Sequence, residues 1–266
     1  MIPVIKKEFN ARWISLLVYC LVMVGLTWMY VGLFPSIQAQ AASLSKILES
    51  MGSAIKALGV SDLSFDTLEK YLAIELYGIT WPLLVITFVA SRAGQALAGE
   101  TEKGTMGTIL SLPVSRANIY LAKYFAGLAA LVIFDAVTVF SAPLIASVYH
   151  VGFEWSHFVS LSVLCLLFSW ALYSLGMLFS AVFNEKGHVN LLVGGLLLLM
   201  YVANVVSGLS DKFGWLRFGS LFHFFNASEV LISNNVSLVS YGVFSGIILV
   251  ATVVGMIWFA RKDVVV

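Results

Sequence analysis

Charge is what this sequence has least of. Only 11% of its 266 residues are Asp, Glu, Lys or Arg, where a soluble globular protein carries about 25%. Too few charges remain to cover a water-facing surface, so the bilayer is the expected solvent. The formal net charge is +1, which argues against nucleic acid or acidic substrates as partners. The two cysteines, Cys20 and Cys165, both fall inside apolar runs and suggest no disulfide framework. His150, His157, His188 and His223 make no Cys/His pattern with metal-ligand spacing, so no metal site is expected. The phosphate loop G-x-x-x-x-G-K-[ST] is missing throughout. The chain is therefore not expected to be an enzyme that hydrolyses nucleotide, nor to bind a cofactor itself.

What the sequence has in plenty is long apolar runs. Crossing about 30 Å of hydrocarbon takes about 20 residues of helix. Six stretches qualify, at 13–34, 71–90, 124–149, 158–183, 191–209 and 238–260. They are too long and continuous for barrel strands, and a bilayer demands that each backbone group be paired internally. The fold class predicted is an all-α membrane protein, with residues 1–266 forming one domain of six transmembrane helices. The first run exceeds the roughly 7–15 apolar residues of a cleaved signal, so it is read as a retained helix. With six spans both termini share a side, and ten of the 15 basic residues fall on it. The positive-inside rule makes that side the cytoplasm.

The connections are informative. In residues 1–12, Ile2, Ile5 and Phe9 recur at helical spacing among Lys6, Lys7 and Arg12, which predicts a helix lying in the cytoplasmic interface. The outer loop at 35–70 carries apolar residues three and four apart from Ile37 to Leu58, the pattern of an amphipathic helix. The outer loop at 210–237 holds Phe213, Trp215, Phe218, Phe222, Phe224 and Phe225. That much aromatic surface belongs at headgroup depth or back among the helices. A short re-entrant hairpin is expected there, with Phe222, Phe224 and Phe225 as an outer gate. Within the spans, Asp135 falls near the middle of the third, where an ionised carboxylate costs at least about 2.5–3.5 kcal/mol. It should face other helices. Asp135, Glu75 and Asn204 are the candidate pathway residues.

The most polar stretch, GETEKGTMGTILSLPVSR at 99–116, joins the second and third runs on the cytoplasmic side. Met106, Ile109 and Leu110 share one helical face. Gly104 loosens the entry, Pro113 stops the helix, and Ser115 is placed to cap the helix that starts at Arg116. These features predict a helix of one or two turns lying across the cytoplasmic face.

This stretch resembles the hallmark of type-2 ATP-binding-cassette (ABC) permeases, matching it at Glu100, Glu102, Gly104, Thr105, Leu110, Pro113, Ser115 and Arg116. The basic start, the six spans and SLFHFFNASEVLI in the last outer loop are similar to that family's layout as well. The resemblance implies that 99–116 holds a coupling helix, docked on a separate ATPase subunit that binds ATP and magnesium. Met106, Ile109 and Leu110 would then be its docking face, and Glu102 would pair with a basic residue of the ATPase. It also implies that 1–12 is an elbow helix. The permease would work as a homodimer, or a heterodimer with a sister chain, carrying two ATPase copies in the lipid of a bacterial or archaeal cytoplasmic membrane. The cargo implied is an amphipathic peptide, antibiotic or lipid, moved outward. The alternatives are a secondary transporter or channel, and a non-transporting scaffold or sensor subunit.

Overall fold

A computed structural model describes residues 2–40, 66–111, 113–209 and 211–262, with backbone alone for 2–11 and 211. The described residues are helical apart from short connections. Six helices are long and apolar enough to cross a membrane: Arg12–Ala39, Leu68–Ala96, Arg116–Val148, Trp155–Val182, Lys186–Leu209 and Leu238–Arg261. They are numbered here as the first to sixth spans. Ile2 and Lys262, the first and last described residues, lie at one face of the bundle, the terminal face; the opposite one is the far face.

The observed helices are longer than the apolar runs because paired charges do not stop them. Lys123, a natural boundary in the sequence, lies well inside the third span and is 2% exposed, held by an ion pair to Glu100. That helix therefore starts at Arg116 and runs 33 residues, about 50 Å, which carries it well past the hydrocarbon. The first helix likewise runs unbroken from Ile2 to Ala39, so residues 2–11 continue the first span without a break. Of the first outer loop, residues 41–65 lie outside the described residues, and the amphipathic helix expected there falls largely within them.

The fourth span sits at the centre and packs against the second, third, fifth and sixth. Small residues allow the closest approaches. A Cβ added to Gly176 would stand 2.6 Å from Ala93 Cβ of the second span. One added to Gly94, on the small-residue ridge Ala90, Gly94, Ala98, would strike Asn190 of the fifth. Buried polar groups fix the register. The Tyr124 hydroxyl bonds Ser174 (2.6 Å), accepts from Trp170 Nε1 (2.7 Å) and accepts from Thr252 Oγ1 (2.9 Å), joining three spans. The first, fifth and sixth spans bury much less of their length than the second, third and fourth.

The second span departs from α geometry at Leu76–Thr80, which forms a π turn. A π turn displaces one residue and frees backbone carbonyls for outside partners. Here the Gly78 carbonyl accepts from the Tyr201 hydroxyl of the fifth span at 3.1 Å. Thr80 Oγ1 donates to the Glu75 carbonyl and bonds the Tyr30 hydroxyl of the first span. The irregular turn is thereby held on both sides, and it forms one wall of a cavity near the far face.

Candidate functional site

At the terminal face the second span ends at Ala96, because the next two amides turn to another span. The N–H groups of Leu97 and Ala98 donate to Ser180 Oγ of the fourth span at 3.1 and 3.2 Å. A short turn, Ala98–Glu102, follows, and the chain then reverses at Gly104, whose φ of 70° suits glycine. Met106–Leu110 forms one more turn. Ser115 accepts from the Asn118 N–H at 3.3 Å, capping the third span as its position in the sequence predicts.

Two carboxylates anchor this connection. Glu100 accepts from Thr105 Oγ1 and pairs with Lys123 at 3.4 Å and Arg12 at 3.9 Å, reaching the third and first spans. Partial burial alone would push its carboxyl up. The Thr105 hydrogen bond and the charges of Lys123 and Arg12 outweigh that and hold it below the usual range. Glu102 Oε2 accepts from the Lys186 N–H at 2.8 Å, at the start of the fifth span. Arg116 donates to the Lys262 carbonyl, just past the sixth. Lys262 in turn donates to the carbonyls of Ala181, Val182 and Phe183 at 2.9–3.2 Å, closing the end of the fourth span. Burial pushes the Lys262 amine down. Glu102 therefore has a partner inside the chain, and its side chain is exposed as well.

The short helix also turns the other way from the sequence expectation. Met106 is 1% exposed, and Ile109 and Leu110 are half-buried against the core. The bundle takes up this apolar edge because burying a side chain such as Met is worth about 1.5–3 kcal/mol. Met106 is thus unable to form a docking surface without leaving its seat. The exposed edge is polar instead, with Glu102, Lys103, Gly104, Thr105, Thr108, Ser111 and Pro113.

The three candidate pathway residues do not come together. Asp135 faces helices, as its cost in lipid requires. It is 2% exposed, Ser169 Oγ donates to its Oδ2, and its Oδ1 has no hydrogen-bond partner among the described residues. Glu75 is half-buried in the second span, just before the π turn. Asn204 lines the cavity near the far face, whose lining includes neither Asp135 nor Glu75.

The far-face aromatic segment splits in two. Asp211–Gly219 is a 3-10 helix that leaves Phe213, Trp215 and Phe218 47%, 69% and 66% exposed. The chain then dips inward. Ser220 Oγ donates to the Met200 carbonyl at 2.6 Å, and Phe222 and Phe225 enter the core. Phe225 stacks on Trp81 with centroids 5.0 Å apart, and Phe168 lies 4.6 Å from Phe225 and 5.0 Å from Phe222. Phe224 is only half-buried. Asn226 then caps the helix Ala227–Ser233, accepting from the Glu229 N–H while its amide donates to the Glu229 carboxylate. Between this segment and the second and fifth spans lies a cavity of about 260 Å³. No sequence signal pointed to it, since its polar groups come from five separate elements. One of them, His223, is pushed down by partial burial and by the nearby Arg217 charge.

No curated protein matches the chain. A family model described as ABC-2 family transporter protein matches residues 2–264, nearly the entire sequence.

Proposed function

The chain belongs to the ABC-2 family of transporter proteins, and from that premise we propose that it moves cargo outward when a separate ATPase pushes on the connection 97–116. Membership makes it a membrane-spanning permease subunit rather than the ATPase, and implies an ABC ATPase partner. Two ATPase copies, each binding ATP and magnesium, would serve a dimer of this chain or of this chain with a sister subunit. The terminal face is read as cytoplasmic, in a bacterial or archaeal membrane. The cargo class that suits an apolar bundle with an aromatic far face is an amphipathic peptide, antibiotic or lipid.

The observation that carries this reading is the bonding of the connection. It is covalently joined to the second and third spans. Glu100 ties it to the first and third, Ser180 to the fourth, Glu102 to the fifth, and Arg116 through Lys262 to the end of the sixth. A displacement there reaches all six helices. Its exposed polar edge is the surface left for a partner. The test is purification of the tagged chain from its native membrane. An ABC ATPase should copurify in amounts comparable to the chain, and cargo efflux from vesicles should require ATP. Flux that follows an ion gradient without ATP would overturn the reading in favour of a secondary transporter.

A further inference from the structure

The far-face cavity carries chemistry that the permease reading does not use. One lining residue, Ser228, is 4% exposed, and its hydroxyl lacks a hydrogen-bond partner among the described residues. A buried polar group left unpaired costs about 1–3 kcal/mol, so such a group usually has a partner in protein, water or ligand. Such a group in the wall of a cavity points to an occupant with hydrogen-bonding atoms.

The rest of the lining selects the sign of that occupant. Among the described residues that line it, Arg217 is the formally charged one and none is Asp or Glu. Asn204 and His223 add polar groups. The carboxylate of nearby Glu229 is outside the lining and engaged by the Asn226 amide at 2.8 Å. A cation entering would meet like charge and no carboxylate among the described residues. An anion would meet a guanidinium, which binds phosphate and carboxylate through paired N–H donors.

Size and surroundings select the remainder. At about 260 Å³ the cavity is below the roughly 300–1,000 Å³ that encloses a drug-sized ligand, so a head group fits and a complete amphiphile does not. Arg217 lies on the same 3-10 helix as the exposed Phe213, Trp215 and Phe218, rings of the kind favoured at headgroup depth. An apolar tail leaving the cavity would run beside them.

We propose that this cavity binds the anionic head, a phosphate or carboxylate, of an amphipathic molecule held at the membrane surface. Arg217 neutralises the head, and Ser228 hydrogen-bonds it from the buried side. The head belongs either to a membrane lipid or to cargo. Only the cargo assignment rests on the permease reading.

Native mass spectrometry of the full chain in neutral detergent, titrated with dodecyl phosphate, tests the site. One saturable adduct is expected, weakened about tenfold or more by Arg217→Gln and several-fold by Ser228→Ala. Without ligand, Ser228→Ala should melt at or above the wild-type temperature, because it removes an unpaired group. This separates lost contact from lost fold. Dodecyltrimethylammonium should bind at least tenfold more weakly. Displacement of the adduct by phosphatidylglycerol identifies a lipid site, and resistance to it identifies a site for a diffusible amphiphile. Both results support the anion site. Equal binding of the cationic amphiphile, no saturable adduct, or unchanged affinity in both variants overturns it. An ATPase that copurifies with a chain unable to bind dodecyl phosphate would sink the site alone. Binding by a chain that recruits no ATPase would sustain the site and sink the permease reading.

Discussion

Glu100 shows how one side chain can set the stability of a membrane domain. Its carboxyl sits below its ordinary value near 4.5. A depressed carboxyl contributes stability that is fully present above that ordinary value and is lost as pH falls through the native one. Glu100→Gln should therefore melt lower than wild type at pH 7.5, with the gap closing on acidification below about pH 4.5. Part of the group meets water, and screening holds the difference to about 1 kcal/mol or less. A gap that persists unchanged at pH 3.5 would show that the ion pairs are not its cause. Tyr124 makes the same point away from water. Interhelical hydrogen bonds in membranes average about 0.6 kcal/mol and reach about 1.7, and this hydroxyl makes three of them. Tyr124→Phe should cost about 1–2 kcal/mol in a denaturation titration, and a neutral effect would mean that the partners re-pair. Asp135→Asn should preserve the fold, because an amide can keep the Ser169 contact without the cost of burying a charge. Transport should fall only if Asp135 meets cargo during the cycle.

At the scale of elements, the connection 97–116 was legible in position but not in facing. Gly104, Pro113 and Ser115 act as their residue types dictate, and the pattern of Met106, Ile109 and Leu110 does mark an apolar edge. Periodicity tells which residues share a face; it does not tell which neighbour the face meets. The nearer apolar surface is the bundle itself, and Met106 takes it. Similarly, the spans were legible from apolar length, while their ends were not, because Lys123 is paired by Glu100, 23 residues earlier in the chain. The cavity was illegible altogether. The Leu76–Thr80 π turn that forms one wall has no sequence signature, and its polar residues are spread from Tyr77 to Ser228. The facing of Met106 leads to a paired test. Met106→Asp should lower the yield of folded chain by burying a carboxylate. Thr108→Trp, on the exposed edge, should leave the melting temperature unchanged and reduce ATPase copurification several-fold. If Thr108→Trp retains its ATPase at wild-type yield, the polar edge is not the contact.

At the scale of the molecule, the two faces of the bundle do different work, and each prediction depends on which side a face occupies. The far face is bound into the core more firmly than a free gate would be. Phe222 and Phe225 are 4% and 9% exposed and pack on Trp81 and Phe168, and a core Phe→Ala change costs about 3–5 kcal/mol. Against a total stability of about 5–15 kcal/mol, replacing both should abolish assembly rather than loosen an exit. Half-buried Phe224 is the ring that can change without collapse. The terminal face collects ten of the 15 basic residues, which the positive-inside rule puts in the cytoplasm. Two cysteine variants test that orientation. Thr108 and Lys212 are exposed on opposite faces, and of the native thiols Cys165 is buried and Cys20 half-buried within the first span. A membrane-impermeant maleimide added to intact cells should label Lys212→Cys strongly and Thr108→Cys only after the membrane is opened. The reverse pattern would place the connection outside the cell, beyond the reach of any ATPase that draws on cytoplasmic ATP, and the coupling role assigned to 97–116 would fall with it.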